Sequence, residues 1–172
     1  INEDTTLENH VDDPDIPDYL VVGDVGVNAE LTIQQGVIIH FQEDRQLKIN
    51  SDGALLAVGE ASNKIIFTSD DVAGGRMWKG IQIVSTDARN EISNAEINYA
   101  GNSEFGSFSN FVDVPAAIAL HSDGKLNLNN TDVKESGGYG IYSRYGTFES
   151  FAENNFENNA MAGIGLNANE VH

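Results

Sequence analysis

A short string recurs down this chain at nearly constant spacing. It is a small residue followed by an apolar residue, a variable residue and a third that is usually apolar, as in Gly80-Ile81-Gln82-Ile83. Further copies begin at Ala117, Gly140 and Gly163, so the steps between copies are 37, 23 and 23 residues. Self-similarity at about 20 to 50 residues is typical of a solenoid, a propeller or a repeat array.

A second string has the same spacing. Residues 92–97, 128–133 and 151–156 each begin and end with an apolar residue and carry a small or polar residue between them, with steps of 36 and 23 residues. Both series lengthen once by a similar amount, so a single insertion between Tyr99 and Ala116 explains both. We expect this insertion, residues 101–115, to be a loop and not a domain boundary.

Each repeat offers two or three strands of three to five residues, separated by Gly, Asn, Asp and Ser turns. Strands this short bury a face only when equivalent strands of successive repeats stack in parallel about 4.8 Å apart. A propeller blade needs more residues and a leucine-rich repeat needs a Leu ladder. The sequence therefore predicts an all-β fold, a single parallel β-helix with one inserted loop, and right-handed by the general crossover preference.

The predicted solenoid covers residues 19–172, and the repeat that stops just after a predicted strand suggests that it is truncated or capped from outside at its C-terminal end. Residues 1–18 are polar and acidic and are expected to form a linker or cap. With 9 Lys and Arg against 27 Asp and Glu, the net charge of −18 would repel a phosphate backbone. Nucleic acid is therefore excluded as a partner, and no apolar run is long enough for membrane insertion.

Four segments carry a resemblance to a known family. Residues 29–41, 53–59, 64–69 and 78–81, continued by 92–101, resemble the opening coils of bacterial secreted right-handed parallel β-helix repeat proteins, which share the pectate-lyase-like architecture. The resemblance covers roughly residues 19 to 168. It implies a bacterial protein that is secreted or held at the cell surface. The family includes surface proteins as well as enzymes that cleave polysaccharides, so the resemblance leaves activity open.

Strand alternation predicts which side chains of the triplet repeat point outward. The outward positions would line up along the solenoid axis at a spacing that suits the hydroxyls of an extended sugar chain, or they would simply be solvated. The predicted binding residues on this face are Gln82, His121, Tyr142, Arg144 and Asn167. Phe105, Phe108 and Phe111 of the insertion could add an aromatic clasp, although packing of these rings back onto the sheet is the favoured alternative.

A lyase acting on uronates would need a base to remove an α-proton and a cation to neutralise the carboxylate. The candidates are Arg144 and Lys125 as base, with Asp123 or Asp132 as ligands of Ca²⁺. With 27 acidic residues some carboxylate pair converges by chance, and a highly anionic surface disfavours an anionic polysaccharide. The balance favours a protein without catalytic activity.

Calcium is the one cofactor that the sequence allows. Carboxylate oxygens suit this ion, and Asp70 and Asp71 are adjacent, but no Asp-x-Asp-x-Asp-Gly loop is present. The alternative for these acids is a solvated surface. The four histidines are far apart in the sequence and form no zinc-binding pair.

Asparagine is abundant in the last repeats. Asn adopts left-handed turns readily and can bond its amide to the neighbouring coil, so a structural role is favoured for these residues. They are Asn127, Asn129, Asn130, Asn154, Asn155, Asn158, Asn159 and Asn167.

The function predicted from the sequence is a β-helix module that binds a glycan or a surface protein, or that serves as a rigid spacer. The alternative is a polysaccharide lyase or glycoside hydrolase that acts on an extended polysaccharide.

Overall fold

The computed structural model of the chain describes residues 1–11, 13–105, 114–121 and 123–166. Its strands form three parallel sheets of six strands each, and the chain visits the sheets in turn. One circuit through the three sheets is called a coil below. The predicted all-β fold, a right-handed parallel β-helix, is confirmed by this topology. Within the described ranges, no helix has the length and hydropathy needed to cross a membrane.

The strands are numbered in chain order and pair with their equivalents one coil away. The first sheet contains β1 (Thr5–Leu7), β4 (Glu30–Ile33), β7 (Ala54–Val58), β10 (Glu91–Ser93), β13 (Lys125–Asn129) and β16 (Thr147–Ala152). The second sheet contains β2 (Tyr19–Val21), β5 (Ile38–Phe41), β8 (Ile65–Ser69), β11 (Ala95–Asn98), β14 (Asp132–Lys134) and β17 (Asn155–Glu157). The third sheet contains β3 (Val25–Val27), β6 (Gln46–Ile49), β9 (Gly80–Ile83), β12 (Ala116–Leu120), β15 (Tyr139–Ser143) and β18 (Ile164–Leu166).

One column of apolar side chains fills the interior between the three sheets. Alternation along each strand supplies it: in β13, Leu126 and Leu128 are fully buried while the residues between and beside them are only partly covered. The triplet repeat supplies Ile81, Ile118 and Ile141 to the same column. Burial of these stacked side chains is the main source of stability in a fold whose single strands have no core of their own.

The last triplet differs from the prediction. Ile164 and Leu166 pair in register with Ile141 and Ser143, which are buried, yet they are 41% and 43% exposed. The reason is that β18 is the terminal strand of its sheet. An inward side chain is buried only when rungs lie on both sides of it.

The predicted boundary at residue 19 needs correction. Thr5–Leu7 pairs in parallel with Leu31–Ile33, so the first rung of the first sheet lies inside the segment predicted to be a linker or cap. Asp18 also joins the solenoid, because its carboxylate accepts hydrogen bonds from the backbone N–H groups of Ile38, His10 and Val11. Burial alone would raise the pKa of Asp18, but these three bonds outweigh it and the pKa is lowered.

The predicted structural role of asparagine is confirmed at the corners between sheets. Asn130 and Asn158 have φ values of 50° and 54°, in the left-handed region. Asn154 accepts a hydrogen bond from the N–H of Thr131 and donates one to the carbonyl of Leu128, one coil away. These amides satisfy backbone groups at corners where no ladder hydrogen bond is available.

Candidate functional site

The outward side of the third sheet carries most of the predicted binding residues and is called the third face below. Strand pairing aligns one row of outward positions along the solenoid axis. A second row follows the ends of the strands, where backbone hydrogen bonds continue the same register. The first row is Gly26, Lys48, Gln82, Ala119 and Tyr142, and the second is Asn28, Asn50, Val84, His121 and Arg144.

Gln82 and His121 lie on the third face as predicted, but they are not exposed to solvent. Gln82 is 1% exposed and His121 is 6% exposed. The expectation of an open row of polar side chains is therefore wrong at these two positions. Adjacent Ala119 is also fully buried, which indicates that the middle of the third face is covered by other parts of the chain.

The insertion supplies part of this cover. Phe105 is 5% exposed and packs with Ala116 and Ala119, against the partly buried rings of Tyr139 and Tyr142. Packing of Phe105 onto the sheet, the favoured alternative in the sequence, is confirmed. Phe108, Phe111 and Asn167, which were predicted to contribute to binding, lie outside the described residues.

His121 is neutral in the folded protein. Its Nε2 lies 2.5 Å from Nε2 of Gln82, and because an amide nitrogen only donates, the imidazole nitrogen accepts. Burial, and secondarily the positive charge of Lys48, lower the pKa of His121 to about 4. Burial also lowers the pKa of Lys48. The covered part of the third face therefore stabilises uncharged forms of these groups.

The stability of the protein is expected to depend on pH through His121. The unfolded chain binds a proton near the ordinary histidine pKa of about 6.5, whereas the folded chain resists protonation down to about 4. Stability from this group is thus complete above the unfolded pKa and is lost as pH falls toward the folded value. Between about pH 7 and about pH 5 the loss should be about 2 kcal/mol. Urea unfolding at both pH values measures it.

The control for this prediction is His121→Gln, which keeps a polar side chain next to Gln82 and does not titrate. Its free energy of unfolding should change less between the two pH values than that of the unmodified protein. Identical pH dependence in both proteins would contradict the assignment of a neutral, buried His121.

The other half of the third face is more open. Asn28 and Asn50 form an amide ladder in which Nδ2 of Asn50 donates to Oδ1 of Asn28 at 2.9 Å, and Nδ2 of Asn28 donates to Oδ1 of Asn2 at 2.8 Å. Lys48 lies beside this ladder in the first row. Gly26 carries no side chain, and a Cβ there would lie 3.3 Å from Nδ2 of Asn50, so the glycine leaves a shallow notch between the rows.

Aromatic residues follow farther along the first row. The rings of Tyr139 and Tyr142 are 5.4 Å apart and tilted by 46°, and both side chains are partly buried. In the second row, the guanidinium carbon of Arg144 lies 5.8 Å from the ring centroid of Tyr145. The third face thus changes along the axis from amides and an amine to aromatic rings.

The structure separates the residues predicted for lyase chemistry. Lys125 begins β13 in the first sheet and its amine lies 3.0 Å from the carboxylate of Glu149, whereas Arg144 follows β15 in the third sheet. Asp132 is in the second sheet and pairs with Lys64 at 2.6 Å. The proposed base and its ligands therefore lie on different sides of the solenoid and do not form one site.

Asp70 and Asp71 follow β8. Asp71 accepts a hydrogen bond from the N–H of Gly74 and lies 3.3 Å from Nε of Arg76, so its carboxylate stabilises a turn and an ion pair. Nowhere in the described part of the chain do three or more His, Asp or Glu side chains come together in an arrangement that could hold a metal ion.

The sequence analysis missed Lys48, Asn28 and Asn50 as members of the third face. The signal was present, since Leu47-Lys48-Ile49 has the apolar-x-apolar form of the triplet repeat and places Lys48 outward. The coils before residue 80 follow the repeat less closely, and the row could be extended to them only once strand pairing was known.

No family model matches this chain, and no curated protein or solved structure shows significant similarity to it.

Proposed function

We propose that the protein is a secreted or surface-displayed module without catalytic activity that binds an extended glycan along the third face. The observation that carries this proposal is the alignment of Asn28 and Asn50 in one hydrogen-bonded row, beside Lys48, on the approach to the rings of Tyr139 and Tyr142. The strands hold these groups at the fixed spacing of a parallel sheet, about 4.8 Å per coil.

The chemistry of these side chains suits a sugar. A carboxamide has two N–H donors and an oxygen that accepts two hydrogen bonds, and the ladder uses one donor of Asn50. The remaining capacity can bond to hydroxyl groups. Tyrosine rings offer an apolar face to the C–H groups of a pyranose and a phenol to its hydroxyls. Because the ladder is rigid, little conformational entropy is lost when a ligand binds.

Charge favours a neutral glycan over an acidic one. The net charge of the chain is −18, and a uronate polymer would be repelled before it reached the third face. We therefore expect the bound polysaccharide to carry few or no carboxylates.

A glycan array followed by titration calorimetry with the strongest hit tests the proposal. Asn50→Ala and Tyr142→Ala should each weaken binding about tenfold or more, since each removes a contact in a desolvated row. Asn155→Ala is the matched control, because Asn155 is an exposed asparagine on the second sheet whose amide bonds to Asp132. The control should leave the affinity unchanged.

Three outcomes would overturn the proposal: no binding to any neutral glycan, equal loss of affinity in the control, or release of unsaturated sugar from a polysaccharide. The last of these would favour the lyase alternative.

A further inference from the structure

The N-terminal end of the solenoid opens into an apolar cavity. It has a volume of about 350 Å³ and is lined by side chains from all three sheets, among them Leu7 of β1, Val21 of β2 and Val25 of β3. Buried core residues such as Phe41 form its floor. Next to it, Leu20 and Val22 are 51% and 64% exposed, which is high for large apolar side chains.

The same end presents open strand edges. β1, β2 and β3 are each the terminal strand of their sheet, so one edge of each lies next to no other strand in the described part of the chain. Such an edge offers N–H and C=O groups to an added strand. The side chains of an added strand would alternate, with every second one pointing into the cavity.

The charge around this end is strongly negative. Residues 1–24 contain eight Asp and Glu residues and no Lys or Arg. Glu8, Asp18 and Asp24 immediately follow or precede residues that line the cavity. Asp24 is half exposed and only 3.9 Å from Arg45, whereas Asp18 bonds to backbone N–H groups and is held in its charged form.

We propose that this end of the solenoid binds an extended peptide segment in which apolar residues alternate with Lys or Arg. The peptide pairs in parallel with the edge of β2, its apolar side chains enter the cavity, and its basic side chains face the carboxylates of the first coil. A second copy of this chain is a poorer occupant, because it brings further negative charge to an acidic end.

The test uses a labelled heptapeptide of alternating lysine and valine, and a matched peptide of alternating glutamate and valine, with fluorescence anisotropy as the readout. The lysine peptide should bind at one site per chain, and the glutamate peptide should not bind. Raising the salt concentration from about 0.05 M to about 0.5 M should weaken binding, since the basic side chains act through exposed charges.

The double variant Leu20→Lys, Val22→Lys places positive charge at the cavity through two exposed positions. It should weaken binding of the lysine peptide at least tenfold. Val58→Lys is the matched control, because Val58 is 45% exposed on the first sheet, away from the cavity. Hydrogen exchange provides a readout that does not depend on the variants: the lysine peptide should protect amides of residues 19–22 in the unmodified protein.

Equal binding of the two peptides, equal loss in Val58→Lys, or no protection of residues 19–22 would overturn the proposal. Sedimentation distinguishes the other occupant. If the unmodified protein self-associates and the double variant is monomeric, a second copy and not a basic peptide covers the cavity.

Discussion

Trp78→Ala is expected to lower the free energy of unfolding by about 3 to 5 kcal/mol. Trp78 is fully buried, and its ring stacks on Phe41 with centroids 4.1 Å apart and planes 13° from parallel. Its Nε1 donates a hydrogen bond to the carbonyl of Asn98 at 2.9 Å. Alanine would leave a large cavity in the core column and remove the donor to a buried carbonyl. Equilibrium unfolding in urea measures the change.

Trp78→Phe separates the two contributions to this loss. Phenylalanine can still stack on Phe41 but cannot donate to Asn98, so the expected loss is smaller, about 1 to 2 kcal/mol. If the alanine variant were no less stable than the phenylalanine variant, the ring would not be a packed part of the core.

Gly80→Ala is expected to lower the free energy of unfolding by about 2 to 5 kcal/mol, from backbone strain and steric overlap together. Gly80 has a φ of 122°, which residues with a side chain rarely adopt. A Cβ would also lie 2.5 Å from the carbonyl oxygen of Ala117 and 2.8 Å from that of Ala116, both in the next coil. The neighbouring strand would have to move, and it is held by strands on both sides.

Gly75→Ala is the matched control. Gly75 has a φ of 72° but no atom lies within 4 Å of the position a Cβ would take, so only backbone strain applies. The expected loss is about 1 to 2 kcal/mol. Equal losses in the two variants would mean that close contact between coils does not explain the glycine at position 80.

The candidate site was predictable only in part. Alternation along the triplet strands correctly placed Gln82 and His121 on the outward side, because the direction of a side chain follows from its parity in a strand. Their burial was not predictable. It depends on how the insertion folds over the sheet, as the packing of Phe105 on Ala119 illustrates. No periodic signal describes a loop of this kind.

The spacing of 23 residues and the period-two alternation by themselves determined that this chain stacks short strands in parallel around one apolar column. Both are local patterns, and a repeat leaves only one way to bury every copy at once. Tertiary structure alone decided that Thr5–Leu7 is a rung, that Lys125 and Arg144 lie on different sheets, and that Asn28 and Asn50 join one row. These depend on which segments become neighbours across coils, which the sequence of a single coil does not specify.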